Sequence, residues 1–345
     1  MSMVDLTVRG AGVFGLSVAW EAARRGARVR VIERRAIGAG SSGGVVGALA
    51  PHVPENWNPK KAFQLESLLA AEGFWDGVKA AGGVDPGYAR QGRLQPVVEG
   101  GEALARARET SAAELWQGRA AWRVIEESAA PEFRPHSPTG LYIHDTLTAR
   151  LHPARACEAL ADALRAVGAE IVIGEGKEEG AVVWATGAEG LADLSQDVGK
   201  RVGAPIKGQA ALLGFDAAHA PQLFAEALHM VPHFDGTLAI GSTSEREFHD
   251  AGTDAQLEAL IEKAAKLVPL LHGAPVLKRW AGMRPRARSR APMLGAWPGR
   301  AGHFVANGGF KIGFGMAPKV AEVMADLVLD GLDRIPEGFR VEDSL

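Results

Sequence analysis

The stretch Leu6-Thr7-Val8-Arg9-Gly10-Ala11-Gly12-Val13-Phe14-Gly15 decides the fold. An apolar strand, Leu6 to Val8, runs into a glycine turn. Residues 16–25 then place apolar side chains at helical spacing until Gly26 stops them. A second strand over 28–32 completes a strand, helix, strand unit. Each glycine of this GxGxxG has a physical task. Gly10 permits the tight turn, Gly12 lets a pyrophosphate approach the backbone, and Gly15 lets helix and strand pack closely, with the helix N-terminus facing the anion. Val13 and Phe14 open the helix and join the same site. Glu33 ends the second strand about 20 residues beyond the motif, where a carboxylate accepts hydrogen bonds from ribose hydroxyls and repels a 2′-phosphate. NADP is thereby disfavoured, and Arg34 follows as a further contact. The motif alone leaves FAD and NAD both open.

Outward from this unit, 345 residues with 47% hydrophobic and 23% charged composition suffice for one or two packed domains. A formal charge of -3 gives no broad basic surface for neutralising phosphates, which argues against a nucleic-acid partner. No apolar run reaches the roughly 18 residues of a membrane span, and the N-terminus enters its strand without a signal-peptide pattern, so a cytoplasmic protein is expected. Cys157 is the only cysteine, which excludes an internal disulfide and a thiolate cluster; no metal site is expected.

Residues 38–47 hold five glycines, too flexible for regular structure unless a bound ligand holds them in place. Helical spacing recurs over 61–80, 101–111 and 153–167. From 208 to 241 the pattern changes to short apolar runs, 210–215 and 238–241, separated by turns such as Asp235-Gly236, an antiparallel signature. A helix over 255–267, strands near 276–280 and 303–306, and a closing helix over 318–329 complete the chain. The expected fold is α/β: a Rossmann-type dinucleotide domain from residues 1–85, 146–205 and 284–345, with an inserted antiparallel-sheet substrate domain from 86–145 and 206–283.

Three further stretches bear on the cofactor: Gly40-Ser41-Ser42-Gly43-Gly44-Val45-Val46-Gly47-Ala48-Leu49, Val182-Val183-Trp184-Ala185-Thr186-Gly187, and Asn307-Gly308-Gly309-Phe310-Lys311-Ile312-Gly313-Phe314-Gly315-Met316-Ala317-Pro318. With the GxGxxG they resemble the D-amino-acid oxidase superfamily of flavoproteins, most closely its glycine oxidase and sarcosine oxidase branch, over nearly the whole chain. The resemblance implies a glutathione-reductase-like FAD domain and noncovalent FAD. Ser41, Ser42, Gly43, Gly47, Ala48 and Leu49 would run beneath the pyrophosphate and ring, where small side chains let backbone amides approach. Ala185, Thr186 and Gly187 would pass close to FAD. Gly308, Gly309, Phe310, Lys311 and Ile312 would feed a helix whose N-terminus favours negative charge on the flavin. Two departures stand out. Gly309 replaces the family's usual histidine, and the hairpin before Val182 is cut to residues 174–180, which touches the adenine contacts.

Trp280-Ala281-Gly282-Met283-Arg284-Pro285 is similar to the W-A-G-x-R-P of glycine oxidases, in which the arginine grips the substrate carboxylate. A guanidinium fork matches a carboxylate with two hydrogen bonds, where a lysine would leave it free to rotate. Arg286, Arg288 and Arg290 alternate behind it like a solvated strand face. Lys311 takes the place of a second basic residue. His229 stands where glycine oxidases carry a tyrosine and reads either as a pocket group or as a strand histidine bonded to backbone. His52 reads either as a residue facing the flavin ring or as an exposed turn histidine. Ser244 lies in a loop that supplies a lysine in sarcosine oxidases, so the electron acceptor, oxygen or a quinone, stays open.

These readings converge on oxidation of the C–N bond of a small amino acid, of glycine, sarcosine or D-amino-acid type, to an imine that hydrolyses to a 2-oxo acid and ammonia or an amine. Lys207-Gly208-Gln209 also fits a flavin-dependent tRNA-modifying oxidoreductase acting on a carboxymethylaminomethyl group. A non-catalytic flavin-binding subunit and an NAD-dependent dehydrogenase are the remaining alternatives. The expected partner is a small molecule, and association into a homo-oligomer stays open.

Overall fold

In the computed structural model, which describes residues 4–345, the opening unit folds as strand β1 (Leu6–Arg9), helix α1 (Val13–Arg24) and strand β2 (Val29–Glu33). Then come β3 (Ala48–Leu49), α2 (Pro59–Gly82), β4 (Arg93–Pro96), α3 (Glu102–Trp116), β5 (Trp122–Glu126), β6 (Leu141–Asp145) and β7 (Ala149–Arg150). Next are α4 (Pro153–Ala166), β8 (Glu170–Ile173), β9 (Ala181–Trp184), α5 (Gly187–Asp197), β10 (Gly203–Gly214), β11 (Gln222–Ala225), β12 (Leu228–Pro232) and β13 (Thr237–Gly241). Helix α6 (Ala255–Leu267), strands β14 (Val276–Ala287), β15 (Met293–Ala296) and β16 (His303–Asn307), and helix α7 (Gly313–Asp330) close the chain.

The strands form two main sheets. A six-stranded sheet runs β15-β16-β9-β1-β2-β8, parallel except at the β15 edge. Leu6 and Val8 on one face and Thr7 on the other are wholly buried in it, as both covered faces of a parallel sheet require. An eight-stranded sheet runs β14-β10-β13-β12-β11-β4-β6-β5. It is antiparallel apart from one pairing, β4 beside β11, which departs from the expected purely antiparallel pattern. Those strands lie far apart in sequence, as a parallel pair must. The architecture is thus a Rossmann-type domain carrying an inserted, largely antiparallel sheet.

Helices α1, α4 and α7 pack against the six-stranded sheet, α2 packs on α4 and α7, and together they build the larger core; α6 covers the other sheet and shares a core of Leu257 and Ala264 with Leu213 and Ile240. Cys157, on α4, is fully buried, and burial pushes its thiol up to about 12. No helix among the described residues is long and apolar enough to cross a membrane.

Two elements outrun their expected bounds. β14 was expected to end near residue 280 but continues to Ala287, in register with β10 from Gly203 onward. Pro285 is accommodated because β14 is an edge strand, where a missing N–H is tolerated. Helix α7 begins at Gly313 and not at residue 318, because packing against α1 and α2 holds its glycine-rich first turn helical. These long strands, β10 and β14, also cross the expected divisions at 205 and 283.

Candidate active site

A cavity of about 880 Å³ runs from the C-terminal ends of β1 and β2 to β12 and β14. At its first end the glycines do what steric logic demands. Gly10 has φ +101, and a Cβ there would come within 2.6 Å of the Ala185 carbonyl; a Cβ on Gly15 would collide with the Gly10 carbonyl. Ser42 Oγ accepts a hydrogen bond from Val13 N at 3.0 Å, tying residues 41–43 to the start of α1. Glu33 accepts from the backbone N–H groups of Ala11 (2.8 Å) and Arg35 (2.9 Å), one per carboxylate oxygen, which fixes the turn and leaves further lone pairs for hydroxyl donors. Arg34 lines the cavity and pairs with Glu189.

The 174–180 segment is tied down by Glu178, which pairs with Arg9 at 2.7 Å, while the Arg9 guanidinium lies 5.5 Å from the Trp184 ring. Both Arg9 and Trp184 line the cavity.

Of the remaining expected cofactor residues, Ser41, Ser42, Ala48, Ala185, Thr186, Gly187, Gly309, Phe310, Lys311 and Ile312 line the cavity, as do Gly12, Val13 and Phe14. Gly15, Gly43, Gly47, Leu49 and Gly308 do not. A Cβ on Gly43 or Gly47 would strike a backbone carbonyl, of Gly38 or Leu151, so these glycines shape the loop behind the wall. Leu49 is core, and Gly308 sits at φ +75 against Ala287. One observation speaks directly to a bound group: Thr186 Oγ1 is buried without a hydrogen-bond partner in the cavity wall. With the glycine cradle, the N-terminus of α1 and the Glu33 carboxylate, the residues present fit a dinucleotide.

At the other end stands Arg284, only 6% exposed. Its Nη2 donates to Ser242 Oγ (2.9 Å) and to the Thr243 carbonyl (3.0 Å), while Nη1 is buried with no partner. Burial lowers its pKa to about 10, which leaves it charged at neutral pH. Trp280 packs its indole against Gly282 and Gly44, linking β14 to the glycine loop. His229 lines the cavity beside Phe224, with ring centroids 4.5 Å apart, and its Nδ1 is also unpartnered, so it is not a strand histidine bonded to backbone. Burial, reinforced by the charges of Arg93 and Lys311, lowers its pKa to about 3 and keeps it neutral.

His52 is half-buried, with its backbone N–H donating to Gln64 Oε1 at 2.8 Å and its ring Nδ1 in contact with the same oxygen; it lines the cavity and is not an exposed turn residue. Lys311 projects into the open cavity, its pKa lowered by partial desolvation and then by Arg284 and Arg286. Arg286, expected to be solvated, is half-buried and leans on the Phe310 ring at 5.6 Å; Arg288 and Arg290 are exposed. Sequence reasoning missed Arg93, Phe224 and Ser242 in the wall, none of which carries a local signal. Among the described residues no cluster of His, Cys, Asp or Glu could hold a metal ion.

A single cavity that starts at a dinucleotide turn and continues past it to a charged, half-satisfied arginine defines a flavoprotein-type oxidoreductase, in which cofactor and substrate must meet. Comparison with known proteins agrees. The family model for FAD dependent oxidoreductases, DAO, matches residues 5–327. Glycine oxidase of Bacillus licheniformis is 26% identical over 355 residues, covering 94% of this chain and 93% of that protein. Glycine oxidase of Geobacillus kaustophilus (strain HTA426) is 27% identical over 362 residues, covering 94% and 92%. A crystal structure of glycine oxidase from Geobacillus kaustophilus superposes with a TM-score of 0.86 at 24% identity, over 99% of each chain. The chain belongs to the DAO family of FAD-dependent oxidoreductases. It is an enzyme of the amino-acid oxidase type, and FAD is its cofactor.

Proposed function

We propose that this enzyme oxidises the C–N bond of a small amino acid, of glycine, sarcosine or D-amino-acid type, to an imine. The observation that carries the reading is Arg284: one arm of the guanidinium is anchored, and the other is buried, charged and unpartnered in the cavity that also holds the nucleotide turn. A free arm of this kind suits a carboxylate, and gripping it fixes the α carbon in one place and orientation. Bound FAD supplies the acceptor for the hydride that leaves that carbon.

The chain's own residues prepare the substrate. Arg284 and Lys311 put positive charge beside the amine and so favour its neutral form, the form able to release hydride from the adjacent carbon. The acidic residues of the cavity wall, Glu33, Glu189 and Asp193, belong to β2 and α5 on the nucleotide side and do not counter this effect. Neutral His229, with its free Nδ1, can hydrogen-bond the substrate without adding charge. No general base is needed, because the carbon-bound hydrogen leaves with its electron pair. Water then adds to the imine, giving a 2-oxo acid and ammonia or a primary amine, and oxygen or a quinone takes up the two electrons.

The test is anaerobic titration of the yellow enzyme with glycine, sarcosine, proline and D-amino acids. Bleaching of the flavin band near ~450 nm by one of them is the expected result, and recovery in air distinguishes an oxidase from a dehydrogenase. Retention of the band with every substrate would overturn the proposal.

A further inference from the structure

We infer that the preferred substrate carries a second acid group, which Lys311 receives with Arg286 adding its charge from beside it, while Arg284 holds the first. This deepens the functional reading above and rests on it. Arg284 and Arg286 are two residues apart on β14, so they project to one face roughly 7 Å from each other. Arg286 and Lys311 approach the same Phe310 ring, at 5.6 Å and 5.8 Å. Arg284 and Lys311 thus line the cavity together, and Arg286, outside the lining, stands against the same ring as Lys311.

None of the three has a carboxylate partner among the described residues. Arg284 donates to a hydroxyl and a carbonyl, and its buried Nη1 donates to nothing. Two other buried cations are matched by acids, Arg93 with Asp145 at 3.0 Å and Lys207 at 3.4 Å from Glu245 and 3.2 Å from Asp254, while buried Arg150 spends its guanidinium on the Pro232 and Ala218 carbonyls. Unmatched like charges on one cavity wall repel one another. A single carboxylate neutralises one of the three; a substrate with two acid groups matches more of the field and gains specificity over a monoacid. The chemistry fits an amino acid whose side chain or nitrogen substituent ends in a carboxylate.

The experiment compares isosteric pairs that differ in charge alone, using the FAD-loaded enzyme: D-aspartate with D-asparagine, and N-carboxymethylglycine with its monoamide. The expected result is a kcat/KM at least about tenfold higher for the diacid of one pair, and that pair identifies where the second acid sits. The advantage should shrink in high salt and in R286Q and K311M, each of which lowers kcat/KM more for the diacid than for the amide. No diacid advantage in either pair overturns the inference and leaves the cations to the cofactor. Succinate and succinamate, compared by the shift they cause in the bound flavin's absorbance, separate the two proposals, since neither carries an oxidisable amine. Preferential binding of succinate without turnover of any pair keeps this inference and sinks the amino-acid reading. If transfer RNA binds tightly and displaces succinate, the cations serve a nucleic acid and the small-diacid inference falls.

Discussion

The Arg284 guanidinium lies directly across Gly208 on the neighbouring strand, so a single Cβ at residue 208 would occupy its place. Gly208 and Gly282 face one another in the ladder, which opens the channel through which the arginine reaches Ser242 and Thr243. Gly208→Ala therefore displaces the guanidinium without touching the nucleotide turn. The expected outcome is a KM for the amino-acid substrate raised by about tenfold or more, with FAD content and melting temperature little changed. An unaltered KM would show that the arginine's placement over Gly208 has no bearing on binding.

Glu33 offers a test at the opposite end of the cavity. Its two carboxylate oxygens each hold one backbone N–H of the turn, and both must accept. Glu33→Gln turns one acceptor into a donor facing an N–H, which leaves that group unsatisfied and loosens the ribose end; a cost of roughly 1–3 kcal/mol is expected. Equilibrium dialysis should read this as FAD affinity weakened by about tenfold to a hundredfold. Identical affinity in the variant would remove Glu33 from the cofactor site.

What could be read from the sequence depended on whether the signal was local. The unit from β1 to β2 was legible because glycine spacing, strand and helix periodicity and a terminal acid coincide within 33 residues. Helix α6 was legible to the residue, since Asp254 caps it by accepting from Gln256 N at 2.9 Å and the apolar spacing is regular. β14 was misjudged because Gly282 and Pro285 read as breakers, whereas register with β10 holds them extended. The first turn of α7 was misread for the same reason. In the site, Arg284 and the glycine loop stood out through motif context. Arg93 did not, because it reaches the cavity only when β4 pairs with β11, a contact between distant segments that no window of sequence contains.

Acid should destabilise the fold through a pair of buried histidines. His152 and His233 have ring centroids 4.7 Å apart, each with a buried, unpartnered nitrogen. Burial lowers both pKa values, that of His233 to about 3. The unfolded chain binds these protons near the ordinary 6.5, whereas the folded protein resists them, so stability is complete above about pH 6.5 and declines as pH falls toward 3. The loss should amount to a few kcal/mol, because each tenfold difference in proton affinity between the folded and unfolded chain is worth about 1.4 kcal/mol. Melting curves of the wild type from pH 7 to about 4 should fall more steeply than those of His233→Gln. Parallel slopes would assign acid lability to other groups.

Arg284 itself separates charge from geometry. Arg284→Lys keeps a positive charge but loses the planar fork and, being shorter, the contacts to both Ser242 and Thr243; Arg284→Ala loses everything. If the carboxylate is held by paired hydrogen bonds, both variants weaken binding, alanine by roughly 3 kcal/mol or more and lysine by a large part of that. The protonated guanidinium is the binding form, and burial lowers its pKa to about 10, so KM in the wild type should rise as pH climbs through that value. The lysine variant should show the same rise at lower pH, since a buried ammonium loses its proton more readily. Flavin content must stay constant throughout, because Arg284 makes no contact with the nucleotide turn. A lysine variant with wild-type KM and an unshifted profile would mean that charge alone attracts the substrate and that the fork does not orient it.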